Sequence, residues 1–73
     1  MSYDNPWMKQ RKIRLQQLRE IIREAKEIEH KKLVGVVLWD MGIREKTLND
    51  YLDLLQKAEM VKWDVNRKLW MPT

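Results

Sequence analysis

Apolar residues recur along this chain with two different periods. Between Trp7 and Glu29, Leu15, Leu18, Ile22 and Ala25 follow one another at steps of three and four, with Ile21 and Ile28 beside them. That spacing is the buried stripe of an amphipathic helix. Asp4-Asn5-Pro6 supplies its start: Asn5 can cap the helix, and Pro6 suits the first helical position because its missing N–H costs nothing there. No residue from Trp7 to Glu29 breaks a helix, so a long first helix over 5–29 is predicted. Arg19, Arg23, Lys26 and Glu27 fall largely outside the stripe, where Glu20 can pair with Arg23 and Arg23 with Glu27.

Leu33, Val36, Val37 and Met41 give a second, shorter helix over 31–41, although so short a Val-rich run also reads as a buried strand. The following turn favours the helix, because Met41-Gly42-Ile43 puts glycine where a left-handed residue is needed. A third helix spans 44–58, with Leu48, Leu52 and Leu55 on one face and Tyr51 at its flank. From Met60 the period drops to two. Val61, Trp63 and Val65 alternate with Lys62 and Asp64, as in a strand. Asn66-Arg67 makes the turn, Lys68 to Met71 the return strand, and Pro72 is expected to end the pairing. The hairpin thus occupies 60–71. The predicted fold class is mainly α with a C-terminal β-hairpin, in one domain over 1–73. Leu18, Ile22, Val37, Leu48, Leu52, Leu55 and Val61 are expected in one core, completed or covered by Trp39, Trp63 and Trp70.

Composition narrows the function. The 73 residues include no cysteine, which removes disulfides and cysteine-based zinc sites. A core this small supplies only about 3–5 kcal/mol, so tight helical packing or oligomerisation is needed. Ser2 is the only serine and the two glycines, Gly35 and Gly42, cannot form a phosphate loop. No catalytic set can be assembled, and neither an enzyme nor a cofactor is expected. His30 with Glu27 offers too few ligands for a metal, and Lys31 and Lys32 disfavour a cation. His30 reads instead as a partner for the dipole at the end of the first helix. The longest apolar run, Leu33 to Trp39, is far short of a membrane span, and no secretory signal is evident. A cytoplasmic protein is expected.

Charge is unevenly placed. Residues 1–32 carry nine Lys/Arg against five Asp/Glu, whereas residues 33–73 carry six of each. The whole excess of +4 therefore lies in the N-terminal segment, where Lys9, Arg11, Lys12 and Arg14 cluster. Such a cluster favours a polyanion such as nucleic acid, or is simply a solvated helix face.

The run Leu38-Trp39-Asp40-Met41-Gly42-Ile43, the helix Arg44 to Leu55 with its Leu52-x-x-Leu55 end, and Lys57-Ala58-Glu59-Met60-Val61 together resemble the winged helix-turn-helix pattern. The resemblance covers Leu33 to Met71, about half the chain, and extends to small archaeal and viral transcription regulators. Glu59 departs from the pattern, since the family often has glycine there. The resemblance implies a third helix that enters the major groove of double-stranded DNA and a wing that touches its backbone. Arg44, Glu45, Lys46, Thr47, Asn49, Asp50 and Asp53 would then lie on the reading helix. Lys46 and Thr47 suit phosphate or base contacts and Asn49 an adenine edge. Arg67 and Lys68 would contact phosphates from the wing, beside Asn66.

The predicted DNA-binding set is therefore Arg44, Lys46, Thr47, Asn49, Arg67 and Lys68, with attraction added by Lys9, Arg11, Lys12 and Arg14. Against this stands the third helix itself, with three basic and three acidic residues over 44–58. A protein-interaction or assembly module on the same fold, contacting its partner through Trp63, Trp70 and the neutral helix, is the alternative. Trp63 and Trp70 beside Lys62, Arg67 and Lys68 could also form a stacking platform for single strands. The first helix is longer than the core needs, and Trp7, Met8 and Ile13 in its N-terminal half have few partners within the chain. A homodimer pairing these helices through Trp7, Met8 and Ile13 is expected.

Overall fold

The computed structural model describes the backbone of residues 6–73 and the side chains from Lys9 onward. Asn5, the expected cap, and the side chains of Trp7 and Met8 lie outside the described residues. The chain runs α1 (Pro6–Ala25), β1 (Ile28–Glu29), α2 (His30–Met41), α3 (Glu45–Lys57), β2 (Val61–Asp64) and β3 (Leu69–Pro72). Three helices and a C-terminal hairpin are present as predicted, and the order is compatible with a winged-helix arrangement.

The first helix is shorter than the predicted 5–29. It stops at Ala25, and Lys26 takes the left-handed φ of 67° while its N–H bonds the Ile22 carbonyl at 3.0 Å. Continuing the helix would carry Ile28 roughly 100° of rotation away from the face of Leu18 and Ile22. As a strand residue Ile28 instead enters the core, 7% exposed, opposite Trp70. No glycine marks this stop, so the sequence carries no signal for it. In consequence His30 does not sit at the end of the first helix: it is the first residue of α2.

The other boundaries follow the expected chemistry. Gly42 ends α2 with φ 66°, its N–H bonded to the Leu38 carbonyl. Arg44 occupies the extended position before α3 and its carbonyl accepts the Leu48 N–H at 2.9 Å. Glu59, where the resemblance anticipates glycine, adopts that glycine's backbone with φ 59°. The Thr73 hydroxyl donates to its carbonyl.

The sheet has the order β1-β3-β2, antiparallel throughout. Ile28, Trp70 and Trp63 stand in one row across it, and Pro72 lies opposite Val61. Pro72 is thus the last paired residue rather than the residue beyond the pairing. It is tolerated there because it ends its strand. All seven residues predicted to share the core are buried, joined by Ile28, Leu33, Ile43, Tyr51 and Trp70. Trp39 is not among them. It is 89% exposed, because α2 buries Leu33 and Val37, and two residues beyond Val37 a helix faces the opposite way. Trp63 is half-buried and Trp70 buried, as expected. Among the described residues no helix is long and apolar enough to cross a membrane.

Candidate nucleic-acid interface

The basic cluster of α1 is divided by helix geometry. Lys9 and Lys12 are exposed, whereas Arg11 and Arg14 are half-buried on the side that meets α3. There Gln10, Arg11 and Arg14 form one wall of a cleft, and Thr47, Asp50 and Tyr51 of α3 form the other. Its volume, about 260 Å³, is below that of a typical ligand pocket. A phosphate or a side chain fits such a space. The predicted α1 and α3 residues are thereby brought together in part: Arg11, Arg14 and Thr47 share this cleft, while Arg44, Lys46 and Asn49 are exposed along the start of α3.

Two of the three acids of the third helix have local partners. Asp53 accepts from Lys57 at 3.0 Å, one turn on. Glu45 lies 3.2 Å from Nε2 of His30. The indole N–H of Trp70 donates to Nδ1 of His30 at 3.1 Å. An indole N–H only donates, so Nδ1 is the acceptor and the imidazole proton sits on Nε2, toward Glu45. His30 thus links the sheet to the start of α3. Both its nitrogens are engaged in this structural role, and among the described residues no group of acids and histidine is arranged to hold a metal.

The hairpin differs from expectation in its side chains. Asp64 accepts from the backbone N–H groups of Asn66 and Arg67 at 3.0 and 3.1 Å, fixing the turn over 65–68. Arg67 does not reach outward. Its guanidinium grips Glu27 through both nitrogens, each at 3.0 Å. Lys68, with φ 55°, is exposed and lines a hollow with His30, Lys31, Trp63 and Trp70. The stacking platform, the alternative reading of Trp63 and Trp70, is assembled only in part, with Lys68 beside the two rings. Trp70 is buried against Trp63, with ring centroids 4.7 Å apart, and strand alternation sends Lys62 to the other face of the sheet from Trp63.

Three contributors were not singled out from the sequence: Glu27 holding Arg67, Asp64 organising the turn, and His30 bridging Trp70 and Glu45. Asp64 had a signal, since an aspartate opening a turn commonly caps its own backbone. The other two join residues fifteen or forty positions apart, which periodicity does not register. No protein-family model, no curated protein and no solved structure matches the chain.

Proposed function

We propose that this chain binds double-stranded DNA sequence-specifically and acts as a transcription regulator in the cytoplasm, with the start of α3 in the major groove. The observation that carries the reading is the shared cleft. Arg11 and Arg14 of α1 flank Thr47 on α3, so cationic side chains lie beside a helix that is neutral by itself. Local pairing of Asp53 with Lys57 lessens the repulsion that this acid would exert on phosphates. Lys46 and Asn49 are exposed and available to base edges, and Arg44 to the backbone. Lys68 is the wing residue best placed for a phosphate, because Arg67 must first leave Glu27.

Alanine substitutions test the assignment. Arg14→Ala should weaken binding to every duplex, whereas Asn49→Ala should weaken binding to the preferred sequence alone. Equal, sequence-independent losses would remove the base-reading role of Asn49.

A second reading, a protein-interaction module, is favoured by one observation: Trp39, 89% exposed on α2. Large exposed aromatics are common anchors of protein interfaces. Trp39→Ala separates the two readings, since it should leave duplex affinity unchanged if DNA is the partner of α3.

A further inference from the structure

Ile13, expected at a dimer contact, is 49% exposed on α1. A more specific feature lies beside the sheet, in a hollow of which the DNA reading uses only Lys68. His30 and Lys31 at the start of α2, Glu29 of β1, Trp63 of β2, Trp70 of β3 and Lys68 of the hairpin turn line it, and its volume is about 530 Å³. That volume lies within the range of small-molecule pockets. Trp63 and Trp70 are paired across β2 and β3 and so share one face of the sheet, with ring centroids 4.7 Å apart. His30 meets Trp63 edge-on, with ring planes at 88°. The three rings make an apolar wall suited to a planar ligand. It offers stacking rather than hydrogen bonds, because the indole N–H of Trp70 is taken by His30, whose other nitrogen faces Glu45.

Charge selects the ligand. Lys31 and Lys68 are both exposed, and Glu29 is the one acid among the lining residues. Glu29 pairs with Leu69, one step from the row of Trp70, so strand alternation turns its side chain to the other face of the sheet. There it borders a second hollow with Lys32 and Arg67. A cationic ligand, which indole faces otherwise favour, meets two ammonium groups here, whereas an anion is attracted by both. Lys68 adds a separate observation. It holds the left-handed φ of 55°, where glycine is the easier residue, so the backbone does not call for lysine at that position. We propose that this hollow binds a small planar aromatic anion, its ring against Trp63 and Trp70 and its phosphate or carboxylate held by Lys31 and Lys68. The cleft of Arg11, Arg14 and Thr47 shares no lining residue with it, so the site stands apart from the DNA reading.

Indole N–H resonances locate the ligand, with exposed Trp39 as the control. Adenosine monophosphate and naphthoate, titrated separately, should shift the Trp63 and Trp70 signals saturably at sub-millimolar concentration and leave Trp39 in place. The tighter of the two identifies the anionic group as phosphate or carboxylate. Lys31→Ala and Lys68→Gly should each weaken the anions roughly threefold to fivefold. Adenosine, which lacks the anion, should bind roughly tenfold more weakly than its monophosphate. Inorganic phosphate alone should not shift the indoles. Lys68→Gly relieves the backbone, so a loss of folding does not account for its effect, and Lys62→Ala, on the other face of the sheet, should change nothing. Absence of saturable shifts with both anions would overturn the proposal, as would adenosine binding as tightly as its monophosphate. So would a Trp39 shift equal to that of Trp63, the sign of indiscriminate stacking.

Discussion

Arg67 at the hairpin turn and Glu27, forty positions earlier, are joined by two 3.0 Å contacts that tie the hairpin to the loop ending α1. Both side chains are about half exposed, 57% and 44%, so water screens the pair and its contribution to stability is small. Its larger effect is on the direction in which Arg67 points. While Glu27 holds the guanidinium, a phosphate must compete for it.

Removing the charge of Glu27 should therefore strengthen duplex binding. For Glu27→Gln, the fall of log affinity with log salt should steepen by about 0.9, the equivalent of one added phosphate contact. The unfolding free energy should drop by less than about 1 kcal/mol. A salt titration of the variant beside the unaltered chain measures both slope and affinity. An unchanged slope would show that Arg67 takes no part in binding.

The two glycines should respond to alanine with opposite signs. Gly35 lies inside α2 on an exposed face, and an added Cβ would meet nothing within 4 Å. Gly35→Ala should raise stability by about 0.5–1 kcal/mol through helix propensity. Gly42 is equally open, but its φ of 66° is disfavoured for a residue with a Cβ. Gly42→Ala should lower stability by about 1 kcal/mol. Urea denaturation of the two variants gives both values, and two changes of the same sign would contradict the placement of α2.

Core and surface apolar residues should separate as clearly. Leu52 is 1% exposed, so Leu52→Ala should cost about 2–5 kcal/mol. Trp70 is buried with its N–H bonded to His30, and Trp70→Ala should cost about 3–5 kcal/mol. Trp39→Ala should change stability by no more than about 0.5 kcal/mol. These values come from unfolding at a protein concentration low enough to hold one oligomeric state. A large loss for Trp39→Ala would mean that this face of α2 is covered.

The legible parts of the fold were those with a strong local signal. The stripes of Leu18 and Ile22 and of Leu48, Leu52 and Leu55 gave the helices, and Gly42 gave the turn between α2 and α3. The alternation around Trp63 gave the hairpin. β1 escaped because its two residues, Ile28 and Glu29, are held by partners forty positions away, and its preceding stop uses Lys26 in a conformation normally marked by glycine. Trp39 lies outside the core because helical phase, and not aromatic character, decides which residues of α2 are buried. Of the candidate site, the residue types were legible, but not their grouping. Helical phase divides Arg11 and Arg14 from Lys9 and Lys12, but only packing of α1 on α3 sets the two arginines beside Thr47, and only tertiary contact turns Arg67 toward Glu27.

The central claim is that cations along the α1–α3 cleft and the start of α3 meet the phosphates of duplex DNA. The most direct measurement is the affinity of the full chain for mixed-sequence genomic duplexes at a series of salt concentrations. Each phosphate contact should contribute about 0.9 to the slope of log affinity against log salt. With Arg11, Arg14, Arg44 and Lys68 engaged, the account predicts binding at low salt and a slope of roughly −3 to −4 for each bound chain. Absence of binding at low salt, or an affinity indifferent to salt, would contradict it.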